Sequence, residues 1–334
     1  MDRRRFLLTA LFGSALSSFA ILAAPLDAEA QPKRKVAFLC PVNCLYLPNP
    51  VVDEDRAFLA GFERAGYVFG RNASIDVSGV GVGYHRLPDA AKKLVQRKVD
   101  VIVAVGNEAT RAAREATKST PIVMVNVADA VDEGLVASLG RPGGNVTGLS
   151  VPLGQLAAKH IELLRDINPR LARVAVLWDP TIALQQDRFV RLERAIGSLG
   201  MQVFPLAVAT FRDLEKAFAS MGPGRPDGLL LFEQLMGQAV SEIGMFALQH
   251  RVVTAAADRS FAQGGGLLAY GPHLPALYEW AALYAAKILN GTRPSELPVE
   301  EPTRFELILN KSTATALGLT IPPSLLLRAD QVIE

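Results

Sequence analysis

Cysteine and histidine are scarce in this chain, and their scarcity argues against a metal site. Only two cysteines, Cys40 and Cys44, and four histidines occur among 334 residues. No Cys-x-x-Cys or His-x-x-x-His spacing accompanies them, so the pattern of a zinc site is missing. We expect neither a metal nor another cofactor. Two interpretations of the cysteines stay open: a small disulfide, if the backbone brings their Cα atoms within about 7 Å, or two half-buried thiols.

An excess of charge of one sign is also lacking. The chain has 35 basic and 33 acidic residues, which gives a formal net charge of +2. Nucleic-acid binding needs clustered lysine and arginine side chains that displace counterions from phosphates, and no such stripe is present. We therefore expect no nucleic-acid partner.

The familiar catalytic motifs are missing as well. The chain has no Walker loop, no Gly-x-Ser-x-Gly elbow, no Ser-x-x-Lys pair and no His-Glu-x-x-His helix. The glycines of 79–83 alternate with valines, which is not the Gly-x-Gly-x-x-Gly spacing of a dinucleotide loop. We expect a protein that is not an enzyme. An exported α/β enzyme stays a competing interpretation, and it would require an acid, a base or a nucleophile in a cleft.

The first thirty residues have the pattern of a signal peptide. Arg3, Arg4 and Arg5 precede an apolar run that reaches Ala24, and a small-x-small site ends at Ala30. We predict cleavage after Ala30 and a periplasmic mature protein. The arginines also fit the twin-arginine pattern, so Sec and Tat export both stay open. A retained membrane anchor is the alternative, although the apolar run is close to the lower limit of about 18 residues for a spanning helix.

Short apolar runs alternate with helical patterns along the rest of the chain, which is typical of parallel sheets built from βα units. The predicted strands are 36–39, 101–105, 122–127, 174–178, 203–208, 229–232, 252–256 and 267–270. Glycine-rich segments at 140–148 and 264–266 interrupt this rhythm and indicate hinges. We therefore predict two lobes joined by a hinge, with 31–147 plus 266–296 in the first and 148–265 plus 297–334 in the second.

Ligands of parallel sheets bind beyond the carboxyl ends of the strands, so the residues that follow each predicted strand are the candidates. The candidate ligand-binding residues are Asn43, Tyr46, Gly106, Asn107, Glu108, Asn126, Ala128, Asp129, Trp178, Asp179, Glu233, Asp258, Tyr270 and Gly271.

Two kinds of contact are expected from these candidates. Backbone N–H groups near Asn107 and Ala128 would hold an anionic group, while Asp179 and Glu233 would hold an ammonium group. The alternative role for Asn107, Asp129 and Asp179 is to cap helices without any ligand. The rings of Tyr46, Trp178 and Tyr270 would favour a planar, partly apolar ligand, and the alternative is ordinary half-buried packing of these rings.

Several segments carry a family resemblance. They are 135–148 (LVASLGRPGGNVTG), 264–271 (GGGLLAYG), 287–291 (KILNG), 297–300 (LPVE), 302–307 (PTRFEL) and 316–326 (ALGLTIPPSLL). Together they resemble the ABC transporter substrate-binding family related to tryptophan- and tyrosine-binding importers.

The resemblance implies a type I periplasmic binding protein fold with two Rossmann-like lobes, three crossings and closure on a ligand. It also implies a permease and an ATPase as partners, and we expect the binding protein itself to be a monomer. Two departures from the family pattern, Ala130 after Asp129 and Asp179 before Pro180, concern the pocket more than the fold. A sensor subunit that presents its ligand to a receptor is the competing function.

Overall fold

The described chain contains two sheets. A computed structural model describes residues 33–42, 44, 50, 52–182, 185–209, 211–219, 224–232 and 240–334. In the first sheet the strand order is β2-β1-β3-β4-β5, and in the second it is β12-β11-β10-β9-β8-β6-β7. The strands of the first sheet are β1 (Arg34–Cys40), β2 (Ala73–Val80), β3 (Val101–Val105), β4 (Ile122–Ala128) and β5 (Val146–Val151). Those of the second are β6 (Arg173–Trp178), β7 (Gln202–Ala207), β8 (Gly228–Leu231), β9 (Val253–Ala256), β10 (Leu268–Pro272), β11 (Phe305–Asn310) and β12 (Gln331–Ile333).

Helices cover the faces of both sheets. They are α1 (Asp53–Arg64), α2 (Leu87–Gln96), α3 (Asn107–Ala116), α4 (Leu153–Ile167), α5 (Gln185–Gly197), α6 (Phe211–Ala219), α7 (Val240–Gln249), α8 (Arg259–Gln263), α9 (Leu274–Leu289), α10 (Lys311–Ala316) and α11 (Pro323–Leu326). None of the helices in the described ranges is both long enough and apolar enough to cross a membrane.

The predicted α/β architecture is confirmed. Each predicted strand overlaps an observed one, and all pairings between neighbouring strands are parallel except that of β10 with β11. The predicted strands were found because strands covered on both faces read as continuous apolar runs. Four strands, β2, β5, β11 and β12, are absent from the prediction. All four lie at sheet edges or carry polar side chains, which weakens the apolar pattern.

The chain crosses between the sheets at other points than the glycine runs suggested. The first crossing follows β5 at Pro152, since β5 belongs to the first sheet and α4 packs on the second. The second crossing is His273, because β10 pairs with β9 and β11 whereas α9 packs against α1. The third follows Glu300, which still forms a bridge with Leu149 of β5. Residues 266–272 therefore lie in the second lobe and 148–151 in the first.

Gly148 is a residue of the sheet and not a hinge. It lies inside β5 with a φ of 131°, and a Cβ atom there would stand 2.1 Å from the carbonyl oxygen of Met124 on β4. The glycines of 264–266 end α8 inside the second lobe, where a Cβ at Gly266 would meet the ring of Phe261 at 2.1 Å. Close packing therefore explains the glycines at 148 and 266 without a hinge.

The two cysteines are joined. Cys40 ends β1, and its disulfide to Cys44 spans a Cα separation of 6.4 Å. The carbonyl oxygen of Cys44 also accepts a hydrogen bond from the Tyr278 hydroxyl of α9 at 3.1 Å. This disulfide fixes the start of the segment that leaves the first sheet towards α1.

Candidate functional site

Residues that follow the strands of the first sheet contact α5 of the second lobe, and Asn107 organises this edge of the first lobe. Its amide nitrogen donates to the carbonyl oxygen of Ala128 at 2.8 Å, and its amide oxygen accepts from the Ala128 N–H at 2.9 Å. Gly106, with a φ of 86°, is the N-cap residue that turns the chain from β3 into α3. The expected cap role of Asn107 is therefore wrong. The Ala128 N–H also has a partner within the protein, and the anion contact expected near Asn107 and Ala128 stays a prediction.

Asn126 lies within β4, and Asp129 directly follows this strand. Both residues have positive φ values, 52° and 45°, and Asn126 lies where the register between β4 and β5 shifts. The Asp129 carboxylate accepts from the backbone N–H of Leu153 at 2.9 Å. Asp129 thus caps α4 across the first crossing, while residues 132–139 form turns and bends. Burial raises the pKa of its carboxyl group.

In the second lobe, the carboxylates of Asp179 and Asp258 each accept from a backbone N–H two residues further along the chain. The Asp179 carboxylate accepts from the backbone N–H of Thr181 at 2.8 Å and from its hydroxyl at 2.7 Å. Asp258 is the N-cap of α8 and accepts from the Ser260 N–H at 2.8 Å. Asp258 therefore caps α8, whereas Asp179 closes a turn that precedes α5, which begins at Gln185.

Trp178 lies half-buried at the end of β6. Its indole stacks on Phe189 of α5 with 6.0 Å between ring centroids, and it packs against the core cluster that α4 and α5 form with the second sheet. Part of this ring therefore belongs to the core.

His160 of α4 connects two further aromatic side chains near the same edge. Its Nε2 donates to the carbonyl oxygen of Tyr270 at 2.6 Å, and its ring stacks on Phe232 with 5.0 Å between centroids. The Tyr270 ring stacks in turn on Phe305 at 5.5 Å. Complete burial lowers the pKa of His160 to about 4, so the imidazole is neutral at physiological pH.

Position 271, directly after Tyr270, is a glycine because the neighbouring backbone leaves no space for a Cβ atom. A Cβ atom at this position would lie 1.9 Å from the carbonyl oxygen of Ala257, in the segment after β9. The close approach of β10 to this segment explains the glycine without a ligand.

Glu108 belongs to a group of charged side chains that joins the lobes. It pairs with Arg188 of α5 at 2.9 Å, and Arg188 also pairs with Glu133 of the first lobe at 3.2 Å. Glu133 forms further ion pairs with Arg111 at 2.9 Å and with Arg191. We call these five residues the interlobe ion cluster. Burial raises the pKa of the Glu133 carboxyl, but Arg188 and Arg191 outweigh it and hold that pKa below its usual range.

Tyr84 is a second contact between the lobes. This half-buried residue lies in a short 3-10 turn, Tyr84–Arg86, and packs against core clusters of both the first and the second lobe. The sequence reasoning missed it because β2 was not recognised as a strand. Had β2 been recognised, the rule of strand carboxyl ends would have made Tyr84 a candidate.

Three candidates, Asn43, Tyr46 and Glu233, lie outside the described residues, as does the predicted signal peptide. Among the residues that the structure does describe, no group of three histidine, cysteine, aspartate or glutamate side chains could hold a metal ion.

Comparison with known families decides what kind of protein this is. The sequence profile of the ABC transporter substrate binding proteins matches residues 51–333. The chain belongs to this family. The resemblance inferred from the sequence is therefore confirmed, and the family is one of substrate-binding proteins and not of enzymes.

Relatives of this substrate-binding protein cover most of its length. A protein named tyrosine-binding protein, from Clostridioides difficile (strain R20291), is 27% identical over 273 residues, which are 81% of this chain and 78% of the relative. A conserved domain protein from Vibrio cholerae is 27% identical with a TM-score of 0.78, covering 90% of this chain and 99% of its own. A Streptococcus ABC domain in complex with L-tryptophan is 22% identical with a TM-score of 0.76, and the match covers 90% and 100% of the two chains.

Proposed function

We propose that this protein is the extracytoplasmic binding component of an ABC importer and captures an aromatic amino acid between its lobes. The observation that carries the proposal is a row of rings at the cleft edge of the second sheet. Val176 of β6 and Leu230 of β8 are register partners, so Trp178 and Phe232, two residues further on, lie on the same face. Tyr270 of β10 packs against the same cluster. Stacking on such rings favours planar ligands.

The relatives support an aromatic ligand. One is named a tyrosine-binding protein, and a structural neighbour is described in complex with L-tryptophan. Both match most of this chain. We therefore place the ligand against the row formed by Trp178, Phe232 and Tyr270.

The cellular setting follows from the leader and the family. We propose export by Sec or Tat, cleavage after Ala30, and a monomer in the periplasm that delivers its ligand to a permease driven by an ATPase. The leader has the basic start, apolar run and small-x-small end of a cleaved signal peptide. A test for this setting is the N-terminal sequence of the protein recovered from the periplasm, which should begin at Gln31.

Replacing Trp178 should reduce affinity for aromatic ligands selectively. We expect Trp178→Ala to raise the Kd for tyrosine or tryptophan by about 10-fold, because loss of ring stacking and buried area together costs about 1.4 kcal/mol. Isothermal titration calorimetry against aromatic, branched and small polar amino acids measures the change. Trp178→Phe, which keeps a ring against Phe189, should lose less than Trp178→Ala.

Trp280 provides the matched control. It lies on α9 with 38% of its surface exposed, so Trp280→Ala removes the same side chain outside the proposed pocket. This control should bind aromatic ligands like the wild type. If the wild type binds only sugars or small polar solutes, or if Trp178→Ala weakens every ligand equally, the aromatic assignment is wrong.

A further inference from the structure

The interlobe ion cluster places buried charged side chains at the contact between the two lobes. The Glu133 side chain is 2% exposed and that of Arg188 is 4% exposed, although the two residues belong to different lobes. Glu108 on the first-lobe side of the same contact is 19% exposed. Separating the lobes would therefore expose these charged groups to water and break the pairs that Arg188 forms with Glu108 and Glu133.

One carboxylate occupies the centre of this contact. Glu133 Oε1 accepts from Arg188 and Arg191 of the second lobe, whereas Oε2 accepts from Arg111 of its own lobe at 2.9 Å. Arg111 also donates to the Glu133 carbonyl oxygen at 3.3 Å. The pairing with Arg111 lies within the first lobe and does not need closure. It orients the carboxylate in advance, so that α5 meets a preformed acceptor when the lobes close.

We propose that the interlobe ion cluster is a closure latch, which sets how much of the ligand-free protein is closed and thereby tunes ligand affinity. If a ligand binds only the closed form, its apparent affinity equals its affinity for that form multiplied by the fraction of the protein that is closed. Desolvation of Glu133 and Arg188 opposes their attraction, so the latch biases the equilibrium without locking it. The partly exposed Arg111 and Arg191 keep the cluster in contact with solvent ions.

The latch is tested without any ligand, by the distance between the lobes. Spin labels at Lys92→Cys on α2 and Glu215→Cys on α6, both exposed, report this distance by double electron-electron resonance. We expect Glu133→Gln to shift the ligand-free distribution towards longer distances and to raise the Kd of the bound amino acid by about 10-fold. Arg188→Met should do the same, and the double variant should add little to either single change.

An ion pair within one lobe supplies the control. Arg173 and Asp227 pair at 2.7 Å inside the second lobe, so Asp227→Asn removes a comparable charge without touching the lobe contact and should leave the distances unchanged. Arg191→Gln, at a residue with 32% side-chain exposure, is the milder variant if Glu133→Gln fails to fold. Identical ligand-free distances in wild type, Glu133→Gln and Arg191→Gln would overturn the latch. Because this measurement needs no ligand, it stands apart from the identity of the bound amino acid.

Discussion

Gly148→Ala is expected to destabilise the protein by about 3 to 5 kcal/mol. The new Cβ atom would lie 2.1 Å from the carbonyl oxygen and 2.7 Å from the nitrogen of Met124, and the φ of 131° is strained for any side chain. These contacts are with backbone of the neighbouring strand, which cannot rotate away as a side chain could. Chemical denaturation of the ligand-free variant and wild type gives the free energy of unfolding.

Gly144→Ala is the control for this change. A Cβ atom at Gly144 would meet no atom within 4 Å beyond its chain neighbours, and the residue has no positive φ. Its substitution should therefore alter stability by less than about 0.5 kcal/mol. A Gly148→Ala protein as stable as the wild type, but with altered opening of the lobes, would support a hinge at Gly148 and contradict its role in the sheet.

Acidification should lower the free energy of unfolding, because His160 is buried in its neutral form. Its pKa is lowered from 6.5 to about 4 by burial, so the folded state binds fewer protons than the unfolded chain between these values. The contribution of neutral His160 to the free energy of unfolding is fully present above pH 6.5 and declines as the pH falls. The free energy of unfolding is therefore lower by about 1.4 kcal/mol at pH 5.5 and by about 3 kcal/mol at pH 4. The Nδ1 atom has no hydrogen-bond partner in the described chain, so an added proton would have no acceptor.

Unfolding free energies of wild type and His160→Gln at pH 7, 5.5 and 4 measure this effect. The glutamine amide can still donate to the Tyr270 carbonyl oxygen but does not titrate, so the advantage of the wild type should shrink by about 3 kcal/mol from pH 7 to pH 4. His250→Gln, at the residue that follows α7, controls for the loss of an imidazole. Parallel pH curves for wild type and His160→Gln would show that His160 does not carry this dependence.

The sequence predicts the fold well where a local pattern carries the information. Strands such as Val101–Val105 read as apolar runs because both of their faces are covered, and the apolar repeats of the helices follow from the same burial. The prediction from sequence misses β5, because the first three residues of this strand lie in a glycine-rich segment. Gly148 there reflects the close approach of Met124, and no local pattern distinguishes such a glycine from a hinge.

The candidate site is predicted only in part, since position on a strand end does not specify a partner. The rule of strand ends led to Asn107, Asp179 and Asp258, and each lies at such an end. What Asn107 contacts could not be predicted, because Ala128 is 21 residues away in the sequence. Glu133 and Arg188 are separated by 55 residues, so their pairing follows from the arrangement of the two lobes and not from a motif.

Native mass spectrometry of the protein purified from the periplasm tests the central claim most directly. We predict a folded monomer that carries one small molecule, with the mass of tyrosine, tryptophan or another aromatic amino acid, released on unfolding. The same mass should be lost or reduced in Trp178→Ala and retained in Trp280→Ala. A bound sugar or small polar solute in place of an aromatic molecule would contradict the proposal, as would a protein that stays empty after incubation with aromatic amino acids.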